Sequence, residues 1–179
     1  MAETVPGVVA REVAIEGAAL LSPFAVGWDG PALPPPRRWA AMEMAGLTVR
    51  VLCVGPGRWL LFGAGGLAGR LDAEFGGAAA IFEQSDAWVV LVLSGERVRD
   101  ALARMVSFDL HPDVFAVGHV AVSAVAHVGV ILWRLPDQGG ARYSLAFPRS
   151  FSDAVMHWLE EAAAQFGFEA VRAEGSLVG

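Results

Sequence analysis

Three residues, Gly55-Pro56-Gly57, are all that separate the apolar run Thr48 to Val54 from the run Arg58 to Phe62. A connection that short can only fold a strand back on its neighbour, because a parallel partner needs a crossover of about a dozen residues or more. The same constraint recurs at Asp137-Gln138-Gly139-Gly140, which closes Val130 to Leu135 onto Arg142 to Phe147. Antiparallel pairing is therefore forced over much of the chain. The expected class is α+β, a mostly antiparallel sheet with two to three helices packed on one face. A hydrophobic content of 55% with 18% charge lies well outside the disordered range, and 179 residues suffice for a sizeable core.

The longest continuous unit is Ala87 to Phe115. Its β-branched run Trp88 to Leu93 has the length of a central strand, and Ser94-Gly95 breaks it. Ser94 is placed to cap a following helix, with Glu96 in the first turn and Val98, Ala101, Leu102 and Met105 on one apolar face. That helix stops at Ser107, and Pro112 disfavours helical geometry at His111. Elsewhere, Val8 to Ile15 reads as a first strand, and the small residues up to position 30 show no clear period. Pro31 to Pro36 reads as a stiff, extended spacer.

Arg38 to Ala45 reads as a short helix ended by Gly46, Leu67 to Phe75 as a helix, and Ala78 to Phe82 as a strand ending at Glu83. Val117 to Val128 alternates as a strand, with a turn or bulge at Gly129. Ser150 is placed to cap the last helix, with Asp153 in its first turn. Val155, Trp158, Leu159, Ala162, Ala163 and Phe166 form that helix's buried stripe, and Gly167 stops it. The expected organisation is an N-terminal segment 1–36 with the proline-rich arm, an α+β domain 37–168 in two closely packed halves (about 37–93 and 94–168), and a weakly patterned tail 169–179.

The chemistry is sparse. A formal charge of −6 without a clustered basic surface argues against nucleic acid. Cys53, the single cysteine, sits in an apolar run and reads as a small buried hydrophobe. No secretory signal is visible, and the longest apolar stretch, Val120 to Trp133, is too short and interrupted to span a membrane, so a cytoplasmic protein is expected. Gly63, Gly65 and Ala68 satisfy GxGxxG/A, with Glu83 twenty residues beyond Gly63, as a dinucleotide site would want. The strand before that loop is hairpinned to its predecessor, however, and no further βαβ unit follows.

The histidines do not converge: His119 and His127 on one strand would lie roughly 27 Å apart. His157 sits on the polar side of the last helix, and His111 occupies a turn set by Asp109. No metal site and no catalytic constellation emerges.

The run Glu83-Gln84-Ser85-Asp86-Ala87-Trp88, the strand ending Leu93-Ser94-Gly95, and Asp109-Leu110-His111-Pro112 with Phe115 resemble the γ subunit of heterotetrameric sarcosine oxidase. The resemblance continues through Phe147-Pro148-Arg149-Ser150-Phe151, Trp158-Leu159, Ala162-Ala163 and Phe166-Gly167, and covers about residues 80–167. It implies a fold related to the folate-binding T-protein of the glycine cleavage system. It also implies a complex that demethylates sarcosine to glycine, with hydrogen peroxide and methylene-tetrahydrofolate as products. FAD, FMN and NAD would be held by the α and β subunits, zinc by δ, and none by this chain.

On that resemblance the chain is a non-catalytic γ subunit seated mainly on α. Asp109, His111 and Arg149 are its candidate partner-contact residues, because the motif turns are where polar side chains leave the core. A stand-alone folate- or nucleotide-binding domain is the alternative.

Overall fold

The computed structural model describes residues 6–171. Its strands are β1 (Val8–Val13), β2 (Gly17–Pro23), β3 (Trp39–Met44), β4 (Leu47–Gly55), β5 (Arg58–Gly63), β6 (Ala79–Glu83) and β7 (Trp88–Ser94). They continue as β8 (Val120–Val125), β9 (Val128–Leu135), β10 (Arg142–Pro148) and β11 (Phe168–Val171). The helices are α1 (Leu67–Phe75), α2 (Val98–Leu102) and α3 (Ser152–Ala163). The described residues divide into two compact units, one of residues 14–88 and one of residues 6–13 with 89–171. The strands form two sheets, and the pairings β1–β7, β9–β10, β8–β9, β2–β5, β2–β6, β3–β4 and β4–β5 are antiparallel, while β1–β11 is parallel.

In the unit of residues 14–88 the sheet order is β3-β4-β5-β2-β6. The β4–β5 hairpin turns at Pro56-Gly57, with a register shift between Cys53 and Gly55. Helix α1 buries Leu67, Ala68, Leu71 and Phe75 against one sheet face, in a cluster with Ala19, Leu21, Val51 and Leu61. Gly66 precedes the helix at φ 76 and supplies the left-handed residue that lets the chain turn from strand into helix.

The proline segment is held by its own unit. Pro34 is buried, its carbonyl accepts from Trp59 Nε1 at 2.9 Å, and Leu33 packs on the same cluster as α1. It is therefore a strap across this unit, which corrects the spacer reading.

In the other unit the order is β11-β1-β7-β10-β9-β8. β7 lies inside the sheet, next to β1, as its β-branched run predicts. Helices α2 and α3 pack on one face: Val98 and Leu102 with Val155 and Leu159 share a cluster with Leu91, Leu93, Leu132 and Leu145. Each fully buried Leu or Val of this kind contributes roughly 1.5–3 kcal/mol.

Several expectations require correction. Residues 17–23 form strand β2, and Arg38 to Ala45 is not helical, because Trp39–Met44 pairs with β4 through the turn Ala45-Gly46. Both turn residues have positive φ (51° and 68°), the geometry of a type I′ hairpin. α2 is only five residues long and Ser94 does not cap it. Ser150 does not cap α3 either, since a 3-10 turn, Arg149–Phe151, intervenes.

The turn after β8 is Ala126-His127, not Gly129, so His119 and His127 do not share a strand. Part of the tail is ordered: β11 pairs in parallel with β1, from Val8↔Phe168 to Arg11↔Val171. The tail beyond 171 lies outside the described residues.

Ala126 (φ 43) and His127 (φ 78) pay the usual penalty of left-handed non-glycine residues. An Asn-Gly pair suits this turn. The double substitution Ala126→Asn, His127→Gly is expected to stabilise the chain by about 1 kcal/mol, read from the urea midpoint.

Candidate partner-docking site

The turn that follows α2 is anchored by three buried apolar residues, Val106, Leu110 and Phe115, and its polar residues point outward between them. Asp109 Oδ1 accepts the His111 amide at 2.7 Å, which sets the turn by a side chain standing in for a backbone acceptor. The His111 carbonyl then accepts the amides of Val114 (2.9 Å) and Phe115 (2.8 Å). His111 Nδ1 lies 3.5 Å from Asp113 Oδ2, and both side chains are exposed. Asp109 and His111 are therefore brought together on one rigid, outward-facing turn. Arg149 is also exposed but belongs to a different element, the 3-10 turn between β10 and α3.

The other candidates resolve into structure. Gly63 and Gly65 flank a loop whose preceding strand, β5, is antiparallel to both β4 and β2, so no mononucleotide βαβ unit is formed there. Glu83, the would-be ribose ligand, is engaged in its own turn. Its Oε1 accepts the amides of Gln84 (3.1 Å) and Ser85 (3.0 Å) and the Ser85 hydroxyl, while Ser85 Oγ accepts the Ala18 amide at 2.9 Å. Cys53 is buried, as its apolar surroundings predicted. His157 Nε2 sits 3.5 Å from Glu161 on the exposed side of α3. No cluster of three or more His, Cys, Asp or Glu has metal-binding geometry among the described residues. No helix among them is long and apolar enough to cross a membrane.

The Ser85 hydroxyl bond holds the Glu83 carboxyl below the ordinary glutamate range; slight burial opposes this, and the Ser85 and Gln84 amides add to it. A depressed folded pKa stabilises the fold above the unfolded value of about 4.3 and loses that contribution as pH falls through the folded value. Glu83→Gln should therefore lower the urea midpoint at pH 7, and the gap to the parent chain should close as the pH is taken below about 4.

One residue with a large structural role carries almost no mark in the sequence. Arg134, buried within β9, donates through Nη1 to the carbonyls of Leu135 (2.7 Å) and Arg142 (2.9 Å) and through Nη2 to Asp137. The only available signal was an arginine interrupting the run Val130 to Leu135.

Comparison with known proteins places these features. The model of the sarcosine oxidase, gamma subunit family matches residues 40–165. The gamma subunit of sarcosine oxidase from Arthrobacter sp. is 33% identical over 129 residues, 69% of this chain and 62% of that one. Its counterpart from Corynebacterium sp. (strain P-1) is 34% identical over 125 residues, 68% of this chain and 60% of that one. The chain thus spans about three fifths of the length of these curated relatives.

Among solved structures, a chain of the heterotetrameric sarcosine oxidase from Corynebacterium sp. U-96, in complex with pyrrole 2-carboxylate, superposes with a TM-score of 0.68 at 24% identity. It covers 89% of this chain and 85% of that one. The glycine cleavage system aminomethyltransferase T from Bartonella henselae gives 0.62 at 14% identity, covering 94% and 48%. These two likenesses establish the T-protein-type fold. The family follows from the match over residues 40–165 and from the gamma subunit relatives above 30% identity: this chain belongs to the sarcosine oxidase gamma subunit family.

Proposed function

We propose that the chain is a non-catalytic subunit of a cytoplasmic, flavin-dependent sarcosine oxidase complex. In this reading it docks mainly on the largest subunit and supports oxidative demethylation of sarcosine to glycine, with hydrogen peroxide and methylene-tetrahydrofolate formed. The observation that carries the reading is the family match over residues 40–165, in a chain whose candidate nucleotide loop is folded into an antiparallel hairpin sheet. FAD, FMN, NAD and zinc belong to the other subunits, and tetrahydrofolate is the one-carbon acceptor of the assembly.

Asp109, His111 and Arg149 are assigned to partner contact. The first two stand on a turn held rigid by its own hydrogen bonds, so they would meet a partner with little ordering cost.

The test is genetic and biochemical. Extracts of cells lacking this chain should lose most sarcosine-dependent peroxide formation and regain it when the chain is re-expressed. Unchanged activity in its absence would contradict the reading.

A further inference from the structure

Among the described residues, strand β8 lies at one end of its sheet and pairs on one side only, with β9. Its two-residue turn, Ala126-His127, has both φ values positive, which makes the closing pair Val125↔Val128 hydrogen-bonded. The alternation continues through Ser123↔Val130 and Ala121↔Leu132, and His119, two residues further back, accepts the Arg134 amide at 2.9 Å in the same phase. The amides and carbonyls of Val120, Val122 and Ala124 therefore point away from β9, at an open edge.

Sheet edges are normally blunted by charge, proline or a bulge. The other three edge strands each carry an exposed carboxylate: Glu169 in β11, Glu43 in β3 and Glu83 in β6. β8, Val-Ala-Val-Ser-Ala-Val, carries no charge and no proline. Val122 is 56% exposed on it, and the run leading into the strand exposes Val114 and Val117 as well.

We infer that the open edge of β8 is a docking edge, to which an extended, uncharged segment of a larger partner subunit adds as a further strand. The inference rests on the assembly proposed above. Main-chain hydrogen bonds to Val120, Val122 and Ala124 would supply affinity, and a charge-free strand admits an uncharged, small or β-branched segment. A second copy of this chain fits less well. A symmetric ribbon of six small residues covers far less than the roughly 800 Å² per partner that a stable interface buries. A larger subunit can also cover the exposed Val114 and Val117, which precede β8 in the chain.

Residue-resolved amide exchange on the purified chain and on the intact complex tests this. The amides of Val120, Val122 and Ala124 should exchange about a hundredfold more slowly in the complex, while those of Ala121, Ser123 and Val125 are slow in both. Val122→Pro removes an outward donor without breaking a β8–β9 bond and should cut recovery of the complex about tenfold, while Val122→Thr assembles normally. Fast exchange at the three outward amides within an intact complex would overturn the inference. Protection already present in the isolated chain would overturn it too, assigning the edge to a second copy or to this chain's own termini. Failure to recover any complex would remove the proposed function and the inference together.

Discussion

A Gly95→Val chain is expected to lose about 4 kcal/mol of stability, the sum of a strained backbone and an unavoidable clash. Gly95 follows β7 at φ +115, a region that side-chain-bearing residues rarely enter. A Cβ there would lie 2.3 Å from the Gly7 carbonyl oxygen and 2.9 Å from its carbon, both backbone atoms that cannot swing aside. That same carbonyl accepts the Arg97 amide at 2.9 Å, so moving it breaks the bond that ties the entry of β1 to the approach of α2. Gly139→Ala is the control. It too has positive φ (+72) but open space around the site, and should cost only about 1 kcal/mol. Urea denaturation of both variants separates conformational strain from steric exclusion; equal costs would mean that the close approach to Gly7 is not what requires glycine.

Removal of the Arg134 guanidinium is the second large effect. Arg134→Met keeps most of the stem volume but strips the donors from the Leu135 and Arg142 carbonyls and from Asp137. The guanidinium also lies 4.9 Å from the Tyr143 ring centroid, so a cation–π contact is lost with it. Buried groups left without their partner make the expected cost about 3 kcal/mol. Asp137 is half exposed, and its pairing with Arg134 is correspondingly screened, so Asp137→Asn should cost below about 1 kcal/mol. Arg134→Lys should fall between, because one ammonium cannot reproduce the planar fork that reaches both carbonyls. Thermal melts of the three variants should rank Met below Lys below Asn.

Antiparallel architecture was legible because it rests on hard geometry. Gly55-Pro56-Gly57 and the Asp137–Gly140 turn leave no room for a crossover, and both hairpins are present. The boundaries of α1 were legible too, since its apolar period is bounded by glycines on both sides. What failed did so where pairing overrode local preference. Ala40, Ala41, Met42, Glu43 and Met44 are better suited to a helix than to a strand, but pairing with β4 across six residue pairs makes them a strand. β2 is rich in Gly and Ala, which carry no β signature, yet it lies between β5 and β6.

In α2 the apolar spacing was right about burial and wrong about helix length. Leu102 and Val106 are buried and Met105 packs on the same cluster, but the helix ends at Leu102. Ser94 could not cap it, because Gly95 at φ +115 puts an extra turn of chain between strand and helix. The Asp109 turn is legible in Asp-Leu-His-Pro because an Asx turn is a local device whose geometry depends on few distant contacts. Arg134 is not legible for the opposite reason: it ties its own strand end and the turn at Asp137 to the Arg142 carbonyl across the hairpin, a closure that depends on the paired strands and that local spacing does not mark.

Native mass spectrometry on this chain, tagged and purified from its own cells in mild salt, tests the proposed subunit role most directly. A yellow assembly holding this chain with two larger chains and one small one is the predicted result. A colourless monomer without any associated chain would contradict it, and a monomer carrying the added mass of a folate or nucleotide would make the chain an independent binding domain.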